Sequence, residues 1–309
     1  MKLTLNLVLL FLLSLLNACA DGPHKPNNVA HDEVVEQGQT SPTMLHDVSF
    51  EQVMALNSEP DDSLKLAYGS EALQYGRLYL PEQNETQGHQ TYAPLVIFIH
   101  GGCWLNAYGI EHSVAFSQSL AQQGFAVWSL EYRRTGDAGG GWPGSFNDIL
   151  KGVSFAQSFK DYPIDLSNIV LTGHSAGGHL ALLASAPERG LFKGDARLKG
   201  VIGLAAIVDV VAYSKGTNSC QTAAVDFFGG NAEQMPDAYE LGSPLTSSLP
   251  ANTLLLQGDV DSIVDRNQAI ASGLKYKVVS GAGHFDWIHP GTTAYQTFLA
   301  TLHERVSTP

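Results

Sequence analysis

Cysteine is scarce in this chain, with three in 309 residues, at positions 19, 103 and 220. No two stand as Cys-x-x-Cys, no His-Glu-x-x-His occurs and no Walker-type glycine loop is present. The sequence therefore implies neither a bound metal nor a nucleotide cofactor. Basic residues are few as well: 17 Lys and Arg stand against 30 Asp and Glu, a net charge of −13. That balance argues against nucleic acid or an anionic membrane surface as a partner, and solubility explains it. There is no internal repeat. The apolar run from Leu3 to Leu16 is too short for a comfortable transmembrane helix.

Hydrophobic residues make up 44% of the chain and glycine occurs 31 times, enough to build a large core with many tight turns. Strand-like and helix-like segments alternate without interruption from about Arg77 to Arg305, which is read most economically as one α/β domain. Within it, Gly173-His174-Ser175-Ala176-Gly177-Gly178 follows the strand-like run Asn168 to Thr172 and precedes the helix-like run His179 to Ser185. Gly-x-Ser-x-Gly between strand and helix is the pattern of a nucleophile elbow, where the turn is too tight for flanking side chains and the hydroxyl is pushed out of the sheet.

A serine hydroxyl is a weak nucleophile until a histidine takes its proton, and the histidine needs a carboxylate to hold its tautomer. His284 is the best-placed base. It sits in Gly281-Ala282-Gly283-His284-Phe285, after the strand-like Tyr276 to Ser280. His289, before Pro290 at the expected start of the last helix, and His303, inside that helix, are read as structural. The strand-like Thr253 to Gln257 is followed by Gly258-Asp259-Val260-Asp261, which supplies two candidate acids. Spacing does not separate them. The acid not used is expected to cap a helix beginning near Val264.

A second signal lies upstream. The buried-strand pattern Ala93 to Ile99 runs into His100-Gly101-Gly102-Cys103-Trp104, where glycine lets backbone N–H groups approach a substrate oxygen. The amides of Gly102 and Cys103, with that of Ala176 after the nucleophile, are the expected oxyanion hole. His100 is expected to orient this loop through a backbone hydrogen bond, with His174 and His179 shaping the elbow.

With these pieces the chain resembles the α/β-hydrolase superfamily, and within it the carboxylesterase/lipase-like branch that opens its oxyanion loop with His-Gly-Gly-x-Trp. The resemblance extends to Glu131-Tyr132-Arg133-Arg134, to Gly139 through Gly144 before a helix carrying Asp148, to Ile164-Asp165, to Ser243-Pro244 and to Gly-x-x-Asp after the seventh strand. It implies a mostly parallel, eight-stranded sheet flanked by helices, and it places the triad acid at Asp261. Arg133, Arg134 and Asp165 are expected to form ion pairs or caps. One departure is Cys103, where the hormone-sensitive-lipase-like branch has a third glycine; this leaves the second oxyanion donor open.

The chain start carries its own message. Lys2, the apolar run and Leu16-Asn17-Ala18-Cys19 resemble a signal peptide (1–18) ending in the lipobox of bacterial lipoproteins, which implies lipidation at Cys19. Ala20 after it suggests the outer membrane, the alternative being a cleaved secretory signal and a soluble periplasmic or secreted protein. Residues 19–46 are polar, with Pro23, Pro26 and Pro42, and read as a flexible tether; residues 47–309 are the hydrolase domain. If Cys19 carries lipid, Cys103 and Cys220 remain as a pair in an oxidising compartment, which allows a disulfide between the oxyanion loop and the long, irregular-looking stretch Asp209 to Pro250.

The leading expectation is a serine carboxylesterase acting on a small-molecule ester without a cofactor, touching membrane only through its lipid. Oligomeric state is open. The resemblance also reaches arylformamidase-like amide hydrolases and the catalytic domains of prolyl-oligopeptidase-type peptidases. Export argues against the former, and the absence of a propeller-sized segment before the first strand argues against the latter. The alternative from another class is a surface-anchored binding module that has kept the fold. It would be expected to lack a triad member, and every role is filled here.

Overall fold

The computed structural model describes residues 44–57, 61–82 and 91–307, which belong to the unit Thr43–Pro309. The expected signal peptide, Cys19 and the tether up to residue 43 lie outside the described residues. In chain order the strands are β1 (Leu64–Ala67), β2 (Tyr75–Tyr79), β3 (Ala93–Ile99), β4 (Ala126–Leu130), β5 (Ile164–His174), β6 (Leu198–Leu204), β7 (Thr253–Gly258) and β8 (Lys275–Val279). They form one sheet in the order β1-β2-β4-β3-β5-β6-β7-β8. The pairs β1/β2 and β2/β4 are antiparallel, and every pairing from β4 through β3 to β8 is parallel.

The apolar runs of the sequence become the middle of this sheet because helices cover both of its faces. Along β3 the side chains alternate. Leu95, Ile97 and Ile99 join Trp128, Leu171, Ile149 and Leu180 on one face, while Val96 and Phe98 join Val127, Ile202, Phe116 and Phe298 on the other. Both edge strands carry lysine, Lys65 on β1 and Lys275 and Lys277 on β8, on largely exposed backbone that charge protects from further pairing.

The helices are α1 (Phe50–Met54), α2 (Val114–Gln122), α3 (Gly144–Phe155), α4 (Ala176–Ser185), α5 (Val210–Tyr213), α6 (Ser219–Phe228), α7 (Pro236–Leu241), α8 (Asn267–Ile270) and α9 (Thr293–Ser307). Every residue of α4 is buried, which explains its Ala- and Leu-rich, nearly charge-free sequence. The stretch Asp209 to Pro250 is not irregular as expected but holds three helices. The longest, α6, starts on a reciprocal Asn218–Gln221 capping box and ends on a left-handed Gly229. The helix expected near Val264 begins only at Asn267, and the last helix begins at Thr293, beyond His289 and Pro290. Leu45, assigned from the sequence to the tether, donates its amide to the Gly291 carbonyl at 3.0 Å and bridges to Thr292.

Candidate active site

From β3 the chain runs to β4 on one side, and β5 lies on the other, so the carboxyl ends of β3 and β5 flank the point where strand order reverses. In open α/β sheets a crevice forms there. His100 follows β3 and Ser175 follows β5, so the two glycine-rich loops meet at that crevice. A Cβ placed on Gly101 would stand 3.1 Å from the Ser175 Cβ.

Ser175 has φ 57° and ψ −120°, a backbone that side chains rarely adopt and that costs on the order of 1–3 kcal/mol. The tight elbow requires its glycines: a Cβ on Gly177 would collide with the carbonyl oxygens of Ile99 and His100, and one on Gly173 with that of Gly177. The Ser175 amide donates to the Leu204 carbonyl at 2.9 Å, tying the elbow to β6.

Asp261 and His284 leave the neighbouring strands β7 and β8. His284 Nδ1–H donates to Asp261 Oδ2 at 2.8 Å, which leaves Nε2 free of the carboxylate. Asp261 also accepts from the amides of Ile263 (2.9 Å) and Val264 (2.8 Å) and from Gln257 Nε2 (3.1 Å). Burial alone would raise this carboxyl, but the charge and hydrogen bond of His284, with the two amides, outweigh it and hold the group below the usual carboxylate range. Asp259 does not cap a helix as expected. Its carboxylate accepts from the Gly281 amide (2.7 Å) and Ser280 Oγ (2.9 Å), bracing the β8 turn.

His174 donates from Nε2 to the backbone carbonyl of His284 at 2.9 Å, joining the elbow directly to the histidine loop. Burial, reinforced by the neighbouring His284, holds His174 well below its ordinary pKa. His179 accepts from the Trp104 indole N–H (3.2 Å) and donates from Nε2 to the Gly242 carbonyl (2.7 Å); burial pushes it down to about 4.

On the other side of Ser175, Gly102, Cys103 and Trp104 have φ of 104°, 54° and 57°. Three consecutive positive values turn this loop sharply. A Cβ on Gly102 would also strike the Tyr108 side chain. Among the described residues, the amides of Gly102 and Cys103 donate to no protein group. Ala176 opens α4, where an amide has no acceptor within the helix. Buried N–H groups without a partner are rare; Cys103 and Ala176 are buried and Gly102 is half-buried. The Trp104 ring, fully buried, stacks on Phe227 at 5.0 Å, and Cys103 is joined by a disulfide to Cys220 (Cα–Cα 4.9 Å), so α6 covers the loop.

Arg133 pairs with Asp148 at 2.7 Å, Arg134 with Glu131 and Asp137, and Asp165 accepts from Ser167 in a local turn. Two contributions escaped sequence reasoning. Asp286 accepts the amides of Asp47 (2.9 Å) and Val48 (2.8 Å), strapping the N-terminal segment to the histidine loop. Glu131 gathers four donors beside His100. Its advance signs are a charged residue immediately after the fully buried β4 and its place in Glu131-Tyr132-Arg133-Arg134, neither of which says what it binds. No cluster of three metal-ligating side chains occurs among the described residues.

The family model described as BD-FAE matches residues 77–275, more than half of the chain. The chain belongs to the BD-FAE family. It is 27% identical over 245 residues to esterase LipC of Mycobacterium tuberculosis, an alignment covering 68% of this chain and 59% of LipC. It is 31% identical over 120 residues to the isoprenylcysteine alpha-carbonyl methylesterase ICME of Arabidopsis thaliana, covering 38% of this chain and 26% of that protein. The chain thus spans less than two thirds of either relative. Esterase B of Lactobacillus rhamnosis matches in structure with a TM-score of 0.67 at 22% identity, over 82% of this chain and 90% of that one. The fold of this BD-FAE chain is therefore that of the α/β-hydrolase esterases.

Proposed function

We propose that the chain is a serine carboxylesterase working through an acyl-enzyme. The observation carrying this reading is the bonded Asp261–His284 pair on the same carboxyl edge as the strained Ser175 turn, with unpaired amides of Gly102, Cys103 and Ala176 around that turn. Ser175 Oγ attacks the ester carbonyl while His284 Nε2 takes its proton, and Asp261 holds the Nδ1–H tautomer and stabilises the imidazolium. The carbonyl oxygen, now anionic, is received by the free amides. Such donors are most effective when they are prearranged and dry. His284 then protonates the leaving alcohol and activates water for deacylation. The relatives named esterase support an ester over other acyl substrates.

The test is hydrolysis of a short-to-long acyl ester series and acetylated sugars by the purified domain beside Ser175→Ala. Loss of turnover in the variant is expected, and activity surviving the substitution overturns the assignment.

Export with a lipid on Cys19 belongs to the same proposal. The Cys103–Cys220 bridge supports maturation in an oxidising compartment. Mass spectrometry of envelope-derived protein is expected to find a lipidated Cys19 as the mature N-terminus; an intact N-terminus upstream of it overturns the anchor.

A further inference from the structure

The buried Glu131 carboxylate, 2% exposed, closes both ends of the oxyanion loop. Its Oε1 accepts from His100 Nε2 at 3.0 Å and from the Tyr132 amide at 2.8 Å, and its Oε2 accepts from the Ile110 amide at 3.0 Å and from Arg134 at 3.3 Å. The same Arg134 nitrogen donates to the Tyr108 carbonyl at 2.7 Å. Residues 100 and 110 are thus held by one group, with Gly102 to Trp104 between them. Burial by itself would raise the Glu131 carboxyl, but His100, then Arg134 and the Tyr132 amide, outweigh it and keep the group ionised.

The decisive link is the second ring nitrogen. Nε2 faces the Glu131 carboxylate and Nδ1 lies 2.8 Å from the Gly101 carbonyl, so both ring nitrogens face acceptors; the ring bears a hydrogen on each, and Nδ1–H donates to that carbonyl. That carbonyl and the Gly102 N–H belong to one peptide unit, which is planar and points its C=O and N–H in opposite directions. Fixing the Gly101 oxygen therefore fixes where the Gly102 N–H aims. Glycines at both positions leave the peptide little intrinsic resistance to flipping, so the constraint has to come from outside.

We propose that Glu131 is a positioning residue for the oxyanion hole: it holds the His100 ring, the ring holds the Gly101 carbonyl, and the Gly101–Gly102 peptide aims its N–H at the developing oxyanion. This deepens the esterase reading and rests on it. In Glu131→Gln a single acceptor oxygen remains for four converging donors and the NH2 faces one pair of them, so the side chain can no longer hold His100 and Ile110 at the same time and the clasp on the loop is broken.

The test measures kcat and KM for a short-chain ester, together with the inhibition constant of a trifluoromethyl ketone, which forms a tetrahedral oxyanion on the serine. All values are normalised to the fraction of Ser175 titrated to completion by a fluorophosphonate. Glu131→Gln is expected to lower kcat about 10- to 100-fold and to weaken the ketone by a similar factor, with KM within about threefold. His100→Phe leaves the carboxylate its other three donors. It is expected to give the same pattern, and it decides the matter if Glu131→Gln does not fold. Combining the two should cost no more than the larger single loss, because they interrupt one relay. A kcat and ketone affinity per titrated serine within twofold of wild type in either folded variant overturns the proposal. A wild-type protein that neither hydrolyses esters nor is titrated at Ser175 overturns the esterase reading instead.

Discussion

On the side of the site carrying Asp261 and His284, orientation comes from hydrogen bonds reaching across two adjacent strands. The carboxylate collects a glutamine at the end of β7 and, from the short loops after β7 and β8, two amides and the imidazole. On the side carrying Gly102 to Trp104, the loop turns through three positive φ values and makes few bonds of its own. It is restrained from outside, by the Glu131 clasp at its ends, by the Trp104–Phe227 stack and by the disulfide to α6. In the proposed mechanism this region presents free N–H groups, which it therefore cannot spend on its own structure. Its order has to come from side chains and from neighbouring elements, whereas the acid–histidine pair is ordered by the very bond it uses.

Removing the chemistry on the histidine side gives the largest expected effect. Ser175→Ala should lower kcat by about 10⁴-fold or more, and Asp261→Asn by about 10³ to 10⁴, since an asparagine favours the wrong imidazole tautomer. Steady-state kinetics with unchanged circular dichroism would check both. A loss of less than tenfold at Asp261 would mean that the pair is not ordered by its own bond.

The two sides also differ in how far the sequence reveals them. The Ser175 turn is legible because its requirements are local: strand, glycine, serine, glycine, helix. The loop after β7 is legible as a place, but Asp259 and Asp261 are two residues apart, and only the bonds to His284 and to Gly281 tell them apart. Glu131 is visible in the Glu131-Tyr132-Arg133-Arg134 stretch, but it meets His100, Ile110 and Arg134, three residues with no common spacing, so no pattern announces its partners. The helices between Asp209 and Pro250 are short and their apolar periods weak, although Asn218 and Gln221 carry a capping signature. The Asp286 strap takes backbone amides, which leave no trace in side-chain composition.

Breaking the disulfide isolates the other side of the comparison. Reduction, or Cys220→Ser, is expected to lower kcat about tenfold with KM little changed, and to remove about 2–4 kcal/mol of stability, as typical for a native bridge. Thermal unfolding with and without reductant, followed by kinetics on the reduced protein, would check this. Equal activity in both states would show that the clasp and the aromatic stack suffice to hold the loop.

A smaller effect should be shared by both sides. His174 beside His284, His179 beneath Trp104 and His112 near His100 are all buried and all held below the ordinary imidazole pKa, chiefly by desolvation. In each case the unfolded chain binds its proton first, so the full stability is present above about pH 6.5 and declines as pH falls toward the folded value. For His179, depressed to about 4, the loss accumulates to about 3 kcal/mol between those limits. Chemical denaturation from pH 7.5 to 4.5 should therefore show falling stability, with a shallower slope in His179→Gln. A flat profile would mean that these rings are reached by water.

The smallest effect is expected at the carboxylate that does not touch the imidazole. Asp259 lies two residues from Asp261, but its partners are Gly281 and Ser280, and its carboxyl is held below its usual range first by the Gly281 amide and then by Ser280. Asparagine keeps an acceptor oxygen for the amide, so Asp259→Asn should leave kcat and KM within about twofold, as for a substitution away from buried networks. Assayed beside Asp261→Asn, the pair of variants separates bonding from proximity. Losses of equal size at both positions would show that the β8 turn, rather than the Asp261–His284 bond, sets the histidine, and the two sides of the site would then share a dependence on outside bracing.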